Sequence, residues 1–151
     1  MTAVILVRSY DGFGLHLWFS VFRNFPNLYK NSIFVSVAEI DSGSFKRIAE
    51  IEALKRSTRM ELEKYVTLRR SVGIPADYRM EEGTDVVDTA VVLCEKVLAE
   101  FRMATVFAGK AVFRREHLFY KMLHNETAYA IQRRLLWKGI PVVILPVRIT
   151  R

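Results

Sequence analysis

A chain of 151 residues is long enough to hide roughly 68–70% of its unfolded surface in one core, so one domain over residues 1–151 is expected, with no metal or disulfide needed to hold it. Hydrophobic residues make up 51% and charged residues 26%, the balance of a soluble globular protein rather than a disordered or fibrous one. A lone cysteine excludes an internal disulfide and fits a reducing cytosol; no apolar run reaches the ~18–20 residues that cross a bilayer, and the N-terminus lacks the pattern of a signal peptide.

The net charge of +7 is unevenly placed. Residues 1–101 carry 13 Lys+Arg and 14 Asp+Glu, a balance of −1, whereas residues 102–151 carry 10 and 2, a balance of +8. Such a basic third is a solvated face, or it meets a phosphate-bearing ligand, an anionic membrane surface or nucleic acid.

The chain opens with a continuous apolar run, Thr2–Val7, which reads as a strand buried on both faces. After a turn at Arg8–Gly12, Leu17, Trp18, Val21, Phe22 and Phe25 recur at three- and four-residue spacing, which predicts a helix from Phe13 that Pro26 ends. Ser32–Ala38 is the second strand. Ser42 or Ser44 is expected to cap a long helix whose inner stripe is Phe45, Ile48, Ile51, Leu54, Thr58, Leu62, Tyr65 and Val66, with charges that include Glu61 and Arg69 on the solvent side. Gly73 and Pro75 close it. Ala76–Met80 alternates as an edge strand does.

Thr84 is expected to cap a third helix with Val87, Val91, Cys94, Leu98 and Phe101 inside. Ala104–Ala108 is the fourth strand, stopped by a turn at Gly109-Lys110. A basic and aromatic connector, Phe113 to Lys121, leads to a helix from about Glu126, with Ala128, Ile131 and Leu135 inside and Gly139 as its stop. Pro141–Ile149 is the last strand.

Strands separated by helices of this length require right-handed crossovers. The fold class is therefore α/β: an open parallel five-stranded sheet, order 3-2-1-4-5, with helices on both faces. The ligand crevice of such a sheet lies beyond the carboxyl ends of its first and fourth strands, where the strand order reverses.

No constellation in the chain argues for an enzyme. Gly12-Phe13-Gly14 has Leu17 where the third glycine of a dinucleotide fingerprint belongs, and Gly109-Lys110 is followed by Ala111 rather than a Walker hydroxyl. Cys94 lies on an apolar stripe, as a core thiol does. His16, His117 and His124 are scattered without metal-ligand spacing, so no metal site is expected. Arg114, Arg115 and Lys121 interleave with Phe113, Phe119 and Tyr120 in a pattern that fits nucleic acid by charge and stacking, or equally an amphipathic turn covering the crevice.

The βα order, the strand ending Val106-Phe107-Ala108-Gly109-Lys110, the following Leu123-His124-Asn125-Glu126-Thr127 and the closing Ile140–Val147 resemble the universal stress protein family over essentially the whole chain. Three segments, Phe34–Val37 with Asp41–Phe45, Gly83–Asp88 and His124–Arg134, are similar to the cytosolic C-terminal domain of bacterial amino-acid permeases of the amino acid–polyamine–organocation superfamily. The resemblance implies a non-enzymatic regulatory or ligand-sensing cytosolic module at the inner face of the membrane, partnered by the transmembrane part of a permease and by anionic lipid through Arg114, Arg115 and Lys121. It also implies a homodimer through the exposed last strand, Val142–Ile149.

The alternative is a free-standing stress protein binding ATP or another adenine nucleotide. In that reading Ser9, Asp11, Val37, Gly109, Lys110, Asn125 and Thr127 would line the site. The family's Gly-x-x-Gly, spacer, Gly-Ser/Thr pattern is met only at Gly109; Val112 stands at the second glycine, His124 or Asn125 at the third, and Thr127 supplies the nearest hydroxyl. Asn125 is expected instead to cap the last helix, with Glu126 opposing phosphate at its positive end. Nucleic-acid binding is the second alternative.

Overall fold

In a computed structural model of the protein, residues 1–41, 47–114 and 118–149 are described, residues 118–124 by backbone alone. The elements alternate strictly: β1 (Thr2–Leu6), α1 (Gly12–Asn24), β2 (Asn31–Glu39), α2 (Ile48–Ser71), β3 (Ala76–Gly83), α3 (Val86–Glu100), β4 (Ala104–Phe113), α4 (Leu118–Trp137) and β5 (Val142–Ile149). All neighbouring strands run parallel, in the order β3-β2-β1-β4-β5. The topology is the one the hydrophobic periodicity predicts.

The sheet divides the core in two. Ala3, Ile5, Phe34 and Phe107 pack against Leu17, Trp18 and Val21 of α1 and Leu62, Tyr65 and Val66 of α2. Val4, Ile33, Val35 and Val106 face the other way, onto Val91, Cys94 and Val97 of α3 and Ile131 and Leu135 of α4. Alternate residues of the central strands thus enter opposite cores, which is why β1 reads as an unbroken apolar run. The first core is aromatic: Phe34 stacks on Tyr65 at 4.9 Å, and Phe107 meets Tyr29 edge-on at 5.3 Å.

Several local expectations change. Asp85, not Thr84, caps α3, its carboxylate accepting from the Asp88 N–H at 3.0 Å; Thr84 is exposed one residue upstream. The two cap candidates are adjacent and chemically similar, and the backbone geometry selects between them. β3 runs three residues further than its apolar alternation, because β2 continues beside it as far as the Glu39–Gly83 pair. The proposed caps Ser42 and Ser44, and Phe45 of the α2 stripe, lie outside the described residues. Ile48 of that stripe is exposed, because α2 meets the sheet mainly through its later turns. Arg69, expected on the solvent side, is buried. Its guanidinium lies 3.7 Å from the centre of the Phe22 ring and 5.5 Å from that of Trp18, and burial pushes it down to about 10.

The largest difference concerns β4. Gly109-Lys110 is not a turn: the strand runs on to Phe113 and stays paired with β5 through Ile149. Glycine loses strand propensity for want of a side chain, but here the missing side chain makes room for a neighbour, as described below. Correspondingly α4 starts at Leu118, about eight residues before the expected Glu126.

Burial pushes the Cys94 thiol up to about 12, which gives a prediction in two parts. Iodoacetamide at mildly alkaline pH should leave the native protein unlabelled and modify Cys94 only after denaturation; native labelling at the denatured rate would contradict a core thiol. The unfolded thiol loses its proton first, so this thiol's stability contribution is complete below its ordinary value of 9.0 and is lost as pH rises through about 12. Urea midpoints should fall over that alkaline window, and less so in Cys94→Ser.

Candidate functional site

The crevice beyond β1 and β4 is built first from the loop that leaves β1. The Asp11 carboxylate caps α1, accepting from the Gly14 N–H at 2.8 Å, while its other oxygen accepts from the Ser9 hydroxyl at 2.9 Å. The Tyr65 hydroxyl donates to the Ser9 carbonyl at 2.5 Å, and the Tyr10 N–H donates to the Glu61 carboxylate at 2.8 Å. Gly14 matters here because the Tyr65 hydroxyl occupies the space a Cβ would need. Burial raises the Tyr65 phenol far above its usual range, so it acts as a fixed neutral donor. The loop is therefore held by α2 and satisfied by its own side chains. The glycine pair of Gly12-Phe13-Gly14 serves helix entry and close packing rather than a dinucleotide.

The β4 side is closed as well. Phe13 lays its ring on Gly109, so that a Cβ at Gly109 would come within 2.7 Å of two ring carbons. Beyond Phe107 the β1–β4 ladder has ended, since its last pair is Ile5–Phe107. The backbone of β4 there needs another partner, and Asn125 provides it. Its carboxamide oxygen accepts from the Ala111 N–H at 2.8 Å and its amide nitrogen donates to the Ala111 carbonyl at 3.1 Å. A side-chain amide has the donor–acceptor pair of a peptide, so Asn125 stands in for one residue of a missing strand. It is 1% exposed.

This corrects the expected role of Asn125. It lies within α4, a turn or more past its start, and does not cap the helix. Glu126 is exposed on the same helix and does not sit at its positive end. The two readings share one element: the Asn125 side chain is consumed by the protein itself.

The expected nucleotide residues are brought together only in part. Ser9 and Asp11 bond to each other, and Gly109 adjoins the loop through Phe13. Val37 points into the opposite core, toward α3. Thr127 is exposed on α4. Lys110 is half-buried and Arg114 exposed just past β4, and neither forms an ion pair among the described residues. Arg115 and the Lys121 side chain lie outside the described residues. No metal-binding cluster occurs among the described residues. The residues that the sequence did not single out are Phe13, Glu61 and Tyr65. A tyrosine on an otherwise apolar stripe was the available signal, because a buried phenol needs an acceptor.

The geometry has relatives among solved structures. A protein of the universal stress protein family from Burkholderia pseudomallei superposes with a TM-score of 0.65 at 14% identity, covering 97% of this chain and 96% of that one. A universal stress protein from Archaeoglobus fulgidus superposes with a TM-score of 0.60, again at 14% identity, covering 95% and 92%. The chain has a universal stress protein-like fold. No protein-family model matches the sequence, and no curated protein matches it either. The stress protein-like architecture accounts for the switch-point crevice; the side chains filling that crevice are this chain's own.

Three of the residues expected to meet an adenine nucleotide make contacts within the chain. The Phe13 ring fills the space beside Gly109, each Asp11 oxygen accepts one hydrogen bond, and Asn125 bonds to Ala111.

Asn125→Leu removes both partners of a buried N–H and carbonyl while keeping the volume. Each stranded group costs about 1–3 kcal/mol, so the urea unfolding free energy should drop by about 2–4 kcal/mol, with faster amide exchange at Ala111. A loss below about 0.5 kcal/mol, the range of an ordinary surface substitution, would contradict the clamp.

Proposed function

We propose that the protein is a non-catalytic regulatory or ligand-sensing module of stress protein-like fold, working as the cytosolic domain of an amino-acid permease. One observation carries the non-catalytic, non-nucleotide part of this reading: at the position where such a sheet takes ligand, the helix cap, the strand extension and the glycine surface are all occupied by the chain's own groups. Free backbone N–H groups at a helix start favour phosphate, and at the start of α1 Asp11 takes one of them. Among the described residues the groups with strongly shifted ionisation are a buried tyrosine, a buried cysteine and arginines, each placed by packing or ion pairing. The permease assignment is supported by the similarity of the segments around Phe34, Gly83 and His124. No helix among the described residues is long and apolar enough to cross a membrane, so any membrane anchorage of this kind would come from elsewhere in a larger protein.

The adenine-nucleotide alternative is favoured by one feature: Lys110 on the last part of β4 and Arg114 just past it have no ion-pair partner among the described residues. Thermal melting decides between them. A nucleotide at 100 times its dissociation constant adds about 2.7 kcal/mol, several degrees at roughly 2–4 °C per kcal/mol. We expect no shift with ATP, ADP or AMP; a saturable shift abolished by Lys110→Ala would overturn the non-nucleotide reading. The permease reading is tested on the reading frame upstream of Met1, where a series of apolar segments of about 20 residues is expected and an immediate in-frame stop would sink it.

The module is further proposed to pair with its twin through β5. β5 is an edge strand, and an open edge is a template for a second strand. Pro146 removes one donor from it, so continuous pairing is interrupted there. Sedimentation should show a dimer; a monomer at every concentration up to the solubility limit excludes it.

A further inference from the structure

Large apolar side chains are exposed at one particular end of the molecule. In a parallel sheet, every helix-to-strand connection lies at the amino-terminal end of the strands. Each of these connections carries an exposed apolar residue: Leu28 before β2, Val72 before β3, Met103 before β4, and Leu136 with Trp137 before β5. Their exposure runs from 42% at Leu28 to 87% at Trp137. Backbone bonds bind the connections into one surface. The Thr2 N–H donates to the Met103 carbonyl at 2.8 Å, the Lys30 N–H to the Met1 carbonyl at 3.0 Å, and the Ser32 N–H to the Pro75 carbonyl at 3.2 Å.

The charges at this end are arranged to match. Its carboxylates have cationic partners: Asp77 and Glu100 share Arg79, which leaves one negative charge over, and Glu95 pairs with Lys138 at 2.8 Å. Its other cations have no carboxylate within ion-pair distance among the described residues. These are Arg23, Lys30 and Arg102, all exposed, and Arg70, whose guanidinium donates to the Ala76 carbonyl instead. Apolar tips from separate connections thus share this end of the sheet with cations that have no ion-pair partner among the described residues. They have the chemistry of a surface that seats tips among acyl chains and cations among lipid phosphates.

We propose that the amino-terminal end of the sheet is a peripheral docking surface for an anionic lipid bilayer. It is distinct from the switch-point crevice at the opposite end and from Arg114, and it stands independently of what that crevice binds. Trp137 and its apolar neighbours set the depth of insertion, and Lys30, Arg70 and Arg102 supply selectivity for negative headgroups.

The test uses the full chain with phosphatidylcholine vesicles made with and without phosphatidylglycerol. The protein should float with the anionic vesicles, not with the neutral ones, and should dissociate with added salt. Tryptophan emission should shift to the blue and be quenched by brominated acyl chains, and both effects should vanish in Trp137→Ser, since Trp18 is buried. Arg102→Gln should weaken partitioning about fivefold, the effect of one basic residue at such a surface, whereas Arg114→Gln should leave it unchanged. Circular dichroism melts of the variants establish that they are folded. Absence of flotation overturns the proposal, as does flotation that survives Trp137→Ser but is lost in Arg114→Gln. A dimer that Trp137→Ser dissociates, without lipid binding, would assign the face to a second copy and overturn it equally.

Discussion

The arrangement of this molecule follows from a mismatch in strand length. β4 outruns β1, so past the Ile5–Phe107 pair its backbone has no neighbour on that side. An unpaired N–H and carbonyl inside a protein cost about 1–3 kcal/mol each, so something must take the place of the missing strand. Asn125 does so with both halves of its amide. That bond fixes where α4 lies against β4, and it draws the helix across the crevice that the reversal of strand order opens. Phe13 completes the closure from the other face by resting on Gly109. One strand's excess length thus decides both the course of α4 and the state of the crevice.

The fold was legible because its signals are long and redundant. β1 had to lie in the middle of a sheet once Val4 and Ile5 both required burial, and the helices between strands forced parallel pairing. The helix stripes on α1 and α3 were equally plain. The site was legible only in outline. Its location beyond β1 and β4 follows from topology alone, and asparagine's readiness to bond backbone groups points to a partner for Asn125 within the chain. The mechanism was not legible, because a glycine followed by a lysine reads locally as a turn, and nothing local says that a ring thirteen residues from the N-terminus will cover that glycine. Asn125 was misplaced for the same reason. Asparagine favours helix caps by propensity, and only a tertiary partner makes it preferable inside a helix.

Arg69 shows a related limit. Its charge assigns it to the solvent side of α2, yet by spacing it continues the inner stripe of Leu62, Tyr65 and Val66, and its guanidinium lies over Phe22 and near Trp18. Arginine can do this because its planar head is weakly hydrated and interacts favourably with aromatic faces. Residue type assigns a charged side chain to solvent by default, and the default fails where periodicity puts it inside and the neighbouring helix supplies aromatic rings. α1 is unusually rich in them, with Phe13, Trp18, Phe19 and Phe22.

The charge asymmetry along the chain needs a similar correction. Ten basic residues fall in the last third against two acidic ones, but a contiguous stretch of a βα protein is not a contiguous face. Every βα unit crosses the molecule from one end of the sheet to the other and back. Lys110 therefore sits on the part of β4 that outruns β1 and Arg114 just past β4, while Arg102 and Lys138 lie at the opposite end and share it with Lys30 and Arg70 from earlier units. Pairing sorts them further: Lys138 is held by Glu95 and Arg134 by Asp88. What sets a surface's character in such a fold is the sum over connections at one end, not the sum along a segment. The carboxyl end answers to the crevice and is filled by the chain's own aromatic and amide groups; the amino end gathers apolar tips from every connection and, from the first three, cations with no ion-pair partner among the described residues. The two ends are chemically different surfaces made from the same repeating unit.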